Sequence, residues 1–169
     1  MRSRFPLFLL LLAAVFFIVC LWRDAATLPA KLATHFDGAG KPNDWMTRTQ
    51  HLTFMTLFGL GVPAFILGVF YSVRLFPASS LNVPQAAYWK SPEHYPEACR
   101  ILFEHGLWFA VLLLVWMTLL NDLIVSANRT APPQLDNGSI LMLTGGLLAG
   151  MSLWIALLLL RFSRIPKAR

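Results

Sequence analysis

Four long stretches without a charged side chain constrain this sequence more than any other feature. A helix rises 1.5 Å per residue, so crossing a hydrocarbon core of about 30 Å takes roughly 20 apolar residues. The runs predict an all-α protein, an integral membrane four-helix bundle with an interfacial outer loop. Helices are expected over about 5–22, 52–75, 101–127 and 138–161, within a single domain spanning 1–169. Composition agrees: 57% of residues are hydrophobic and 13% are charged, with a mean hydropathy of +0.61. A soluble domain carries about 25% charge, so a soluble enzyme, a disordered tail and a nucleic-acid module are excluded.

Each run has its own character. The first follows Arg2 and Arg4 as a secretory signal would. Its apolar core is longer than a signal core, however, and Arg23-Asp24-Ala25-Ala26 offers no A-x-A cleavage site. A lipoprotein site at Cys20 lacks the small residue before it, so an uncleaved helix is expected. In the second run Pro63, between Gly59 and Gly68, predicts a bend. The third is free of charge only from Gly106 to Asn121, about 24 Å of helix. Its helix must therefore carry Glu104, His105, Asn121 or Asp122 at or inside a membrane boundary. In the fourth, Gly146 and Gly150 form a GxxxG pair that lets helices approach closely. Packing within the chain is the expected use, and homodimerisation is the alternative.

The formal charge is +6, but Lys and Arg sit in short segments between apolar runs rather than on one face. Arg2, Arg4, Arg74, Lys90, Arg100, Arg161, Arg164, Lys167 and Arg169 lie on one side of the expected bundle. Arg23, Lys31, Lys41, Arg48 and Arg129 lie on the other, and this asymmetry predicts both termini in the cytoplasm of a cell membrane. Cys20 and Cys99 fall at opposite ends, so no bridge is expected.

The outward segment, 23–51, contains Leu28-Pro29, His35-Phe36-Asp37 and Gly38 to Trp45, rich in turn chemistry. The pattern Leu28, Pro29, His35, Phe36, Gly40, Asp44 and Arg48 resembles the bacterial domain of unknown function 1648. Asn82-x-Pro84, Tyr88-Trp89 and Pro92-Glu93 add to the likeness. That domain forms the N-terminal part of SdpI-type membrane proteins, whose namesake protects its host from a secreted peptide toxin and takes part in signalling. The resemblance implies a multi-pass, non-enzymatic binding, sensing or immunity module. Those proteins are longer, and their further membrane portion is not expected in this sequence.

No P-loop, dinucleotide fingerprint, HExxH or GxSxG occurs. The polar residues expected to gather at the outer end, as a ligand-binding set, are His35, Asp37, Asp44, Arg48, His51, Asn121 and Asp122. Such a set, with two His and three carboxylates, could ligate Zn²⁺ or hold a cationic group; His35 and His51 are the metal candidates among its histidines, and no cofactor is called for. The plainer reading gives Asp44 and His35 to local turn bonds. Glu104 and Asp122 stand 18 residues apart, five helical turns, and share a face with Trp108, Val111, Val115 and Thr118. Asp122 is expected to point inward, within reach of His51, His35 or Arg48. The rival readings are a small transporter or channel subunit using Glu104 and Asp122, and a metal-dependent membrane enzyme. His94, Tyr95 and Cys99 read with Tyr88 and Trp89 as an interfacial segment. The partners expected are the lipid bilayer and a peptide or another membrane protein, with no nucleic acid.

Overall fold

The computed structural model describes residues 4–165; Arg2, Lys167 and Arg169 of the charge count lie outside them. The order is α1 (Arg4–Ala25), β1 (Lys31–Phe36), β2 (Pro42–Thr47), α2 (Arg48–Ser72), α3 (Ala86–Trp89), α4 (Tyr95–Ala127) and α5 (Asn137–Ser163). The four long helices are each long and apolar enough to cross a membrane. Two of them begin earlier than their apolar runs. Pro96 pre-sets the first turn of α4. Thr47 and Gln50 form a reciprocal capping box at α2, Gln50 N–H donating to the Thr47 hydroxyl and Thr47 N–H to Gln50 Oε1. α2 continues as one helix through the buried Pro63.

The helix α4 is the axis on which the others pack. Its buried residues Leu107, Ala110, Leu114, Met117, Asn121 and Val125 recur at alternating steps of three and four, the spacing of a helical seam. Against it stand Leu10, Phe17 and Leu21 of α1 and Met55 of α2. Close approach is bought with glycine at two places. A Cβ on Gly59 would stand 2.4 Å from Phe17 Cζ, and one on Gly106 would stand 2.8 Å from Phe70 Cγ. The expectation that α5 packs tightly through Gly146 and Gly150 is corrected here. Nothing lies within 4 Å of a Cβ built at Gly146, whereas one at Gly150 would meet Leu112 at 3.1 Å. Among the described residues of α5, Phe162 is the buried one.

The expected interfacial loop is an ordered β-hairpin seated on one end of the bundle. The strands β1 and β2 pair antiparallel, with Leu32 opposite Met46 and Ala33 opposite Trp45. Asp37 accepts from Ala39 N–H and Lys41 N–H at 2.8 and 2.9 Å, and Gly40 takes a positive φ of 76° to close the turn. The hairpin is held from both sides. Asn128, just past α4, accepts from Ala33 N–H at 2.7 Å and donates to Ala33 C=O at 2.8 Å. Gln134 and Asn137 donate to the carbonyls of Ala39 and Gly38.

At the opposite, loop end, Trp89 donates to Phe162 C=O at 2.8 Å within a cluster of Leu81, Ala98, Ile101 and Leu102. Tyr88 stacks on His94 with centroids 3.9 Å apart. The Tyr95 hydroxyl lies 2.7 Å from the carbonyls of both Val73 and Phe76. Cys20 and Cys99 are both free and buried. Gly106→Leu should lower the unfolding free energy of the detergent-solubilised protein by about 1–3 kcal/mol through overpacking. Gly146→Leu should leave it within about 0.5 kcal/mol of wild type, and thermal unfolding of both variants checks the contrast.

Candidate functional site at the hairpin end

Three seams converge beneath the hairpin, and each ends on a polar residue. On α1, Leu10, Phe17 and Asp24 repeat every seven residues, which places Asp24 on the buried face. On α2 the buried residues His51, Met55, Gly59 and Pro63 repeat every four. On α4 the seam reaches Asn121. Asp24, His51 and Asn121 are 1–2% exposed. Burying such groups is costly unless they bond to one another.

They do so as a chain. Asn121 Nδ2 donates to Asp24 Oδ2 at 3.3 Å, and Asn121 Oδ1 lies 3.0 Å from His51 Nε2. A carboxylate only accepts, so the amide nitrogen must face Asp24 and the amide oxygen must face His51. His51 therefore carries its proton on Nε2 and donates it. The other Asp24 oxygen accepts from Arg23 Nε at 2.9 Å and faces Arg23 Nη2 at 2.8 Å. The arrangement ties the ends of α1 and α4 to the start of α2, and its Arg23 terminus is exposed.

Asp122 is not in this chain, contrary to expectation. Its side chain is 57% exposed and lies 3.9 Å from Arg23. The reason is helical phase. One residue turns the helix by about 100°, so when Asn121 sits on the seam its neighbour points away. Glu104, five turns below Asp122, pairs with Arg100 at 3.1 Å near the loop end. His105 accepts a bond from Trp154 Nε1 through its backbone carbonyl at 2.8 Å. Glu104 and Asp122 are thus about 27 Å apart along α4, each with its own arginine.

The remaining expected ligands are spread over the hairpin. His35 Nδ1 bonds the Asn43 side chain at 2.8 Å, Asp37 closes the turn, and Asp44 accepts from Trp45 N–H at 2.7 Å. Arg48 reaches the Leu28 carbonyl through Nη2, and its Nε is buried without a hydrogen-bond partner. Among the described residues no three of His, Cys, Asp and Glu converge as a metal-holding group. Sequence reading missed Asp24 and Asn128. The signal for Asp24 was its sevenfold spacing from Phe17; for Asn128 none was present, since its partner is 95 residues away.

Beside this core, two grooves open on the outside of α2. One, of about 480 Å³, is lined by Asp44, Trp45, Thr49, Gln50, Thr53 and Phe54. The other, of about 440 Å³, lies toward α1 between Trp22, Leu52, Thr56 and Leu57, and shares Thr49 and Thr53 with the first. Trp22 and Trp45 are 70% and 40% exposed, so both indoles face the surroundings.

The fold and this site define a small multi-pass helical membrane protein with an ordered hairpin at one end. Residues 8–60, from α1 through the hairpin to the middle of α2, match the family model described as domain of unknown function (DUF1648). Neither a curated protein nor a solved structure matches the chain. Asn121→Ala should destabilise the protein by about 1–3 kcal/mol, because two buried partners lose their bonds. Asp122→Asn should cost less than about 0.5 kcal/mol. Denaturant titration of the two variants tests the one-residue distinction.

Proposed function

We propose that this protein is a non-enzymatic binding or sensing module of the cell membrane whose hairpin end faces outward and takes an amphipathic peptide. The observation that carries the reading is the pair of adjoining grooves joined at Thr49 and Thr53. Their walls offer indoles, threonine hydroxyls and one carboxylate, Asp44, a surface suited to a peptide with an apolar face and a cationic group. The buried Asp24–Asn121–His51 chain gives the grooves a fixed floor by locking α1 and α2 to α4. The likeness to SdpI-type proteins supports a peptide as the ligand class. The distribution of Lys and Arg supports an outward hairpin with cytoplasmic termini.

Two measurements test this reading. A reporter fused after Arg169 should be active only in the form that works in the cytoplasm; activity only outside overturns the orientation. Titrating a synthetic amphipathic Lys/Leu peptide into the reconstituted protein should shift the emission of Trp22 and Trp45. Thr53→Trp, which fills the shared wall of both grooves, should weaken binding about tenfold or more. Equal binding by wild type and Thr53→Trp would place the peptide elsewhere.

A further inference from the structure

The face between α4 and α5 at the loop end carries a further groove, separate from the two beside α2. It is about 530 Å³, and its walls are Trp108, Leu112, Leu153, Trp154 and Leu157. Its mouth holds Glu104, His105 and Arg161. We propose that it is a binding site for one phospholipid with an ethanolamine head, the acyl chain lying in the groove and the head at Glu104 and Arg161.

The dimensions select a lipid. From Glu104 to Leu112 is eight residues of α4, about 12 Å, and from Gly150 to Arg161 is eleven residues of α5, about 17 Å. Half of a hydrocarbon core of about 30 Å is about 15 Å, so the groove spans one leaflet. It stops where the helices touch: Leu112 Cδ1 lies 3.1 Å from a Cβ built on Gly150. Beyond Leu112 the α4–α5 face opens again as a separate cleft between Val115, Leu119, Met142 and Gly146, so Leu112 divides that face into two shorter grooves. The walls are also chemically closed. The Trp154 indole N–H is used by the His105 carbonyl, so this wall offers the chain an apolar ring face.

The charges select the head. Glu104 and Arg161 side chains are 22% and 32% exposed, so both are partly withdrawn from water. Arg100 bonds Glu97 at 2.5 Å and Glu104 at 3.1 Å, while Arg161 pairs with Glu97 at the longer distance of 3.7 Å. The mouth therefore presents both signs, with a guanidinium for a phosphate and a carboxylate for a cation. A primary ammonium can donate to Glu104 and a choline head cannot, while a purely anionic head would meet Glu104 with like charge.

Native mass spectrometry of the full chain, offered equal amounts of phosphatidylethanolamine, phosphatidylcholine and phosphatidylglycerol, reads this directly. The expected result is one retained phosphatidylethanolamine per chain, favoured about tenfold over phosphatidylcholine, as one charge-assisted hydrogen bond allows. Glu104→Gln should erase that preference, and Arg161→Gln should lower retention of all three lipids. Leu153 is 61% exposed, so Leu153→Trp fills the groove without disturbing the core and should abolish retention even if a charge variant fails to fold. Equal retention of the three lipids, preference for phosphatidylglycerol, or retention unchanged by Leu153→Trp overturns the site. So does a Leu153→Cys variant that cross-links to a second copy in native membranes, since a protein would then cover the groove.

Discussion

The fit along α4 is the constraint on which the rest of the structure depends. In hydrocarbon, apolar side chains gain little by leaving lipid for protein, so helices associate through close contact and a few polar bonds. The α4 seam from Leu107 to Val125 offers that contact to α1 and α2 at once. Gly59 and Gly106 sharpen it, because each leaves room for a phenyl ring that any larger residue would displace. α5 follows a looser rule, meeting α4 at Gly150 and Leu112 and leaving clefts that a surrounding lipid can enter.

The polar chemistry at the hairpin end is a consequence of the same seams. At the hairpin end they run into Asp24, His51 and Asn121, and these buried groups are satisfied by one another and, at Asp24, by Arg23. Asn121 suits the middle position because an amide can donate on one side and accept on the other. The neighbouring hairpin is fixed by Asn128, whose amide pairs with both backbone groups of Ala33 as another strand would. The groove-lining residues Trp22, Trp45 and Thr53 are then presented by a rigid support rather than by a free loop.

Helical phase explains most of the distance between the sequence reading and the structure. The five-turn spacing of Glu104 and Asp122 is real, but it defines a face turned about 100° from the seam; Leu107, Ala110, Leu114, Met117 and Asn121 define the buried one. The GxxxG pair pointed to Gly146 and Gly150, and of the two Gly150 meets a neighbour, Leu112, whereas the tightest helix–helix contacts fall at Gly59 and Gly106, each opposed by a phenylalanine from a distant part of the chain. The turn at Gly38–Gly40 was legible from Asp37 and Gly38, whereas the strands flanking it are short and gain their order from α4 and the segment before α5.

The sequence by itself determined the number of membrane-crossing helices, the segments between them and the DUF1648 likeness of the first part of the chain. These follow from local quantities: run length against bilayer thickness, and turn residues at fixed offsets. Only the tertiary structure decided which of two adjacent residues, Asn121 or Asp122, joins the buried chain, and which glycines bear the packing. The rotation of each helix about its axis is set by all its neighbours together, and a shift of one residue, about 100°, exchanges a buried group for an exposed one.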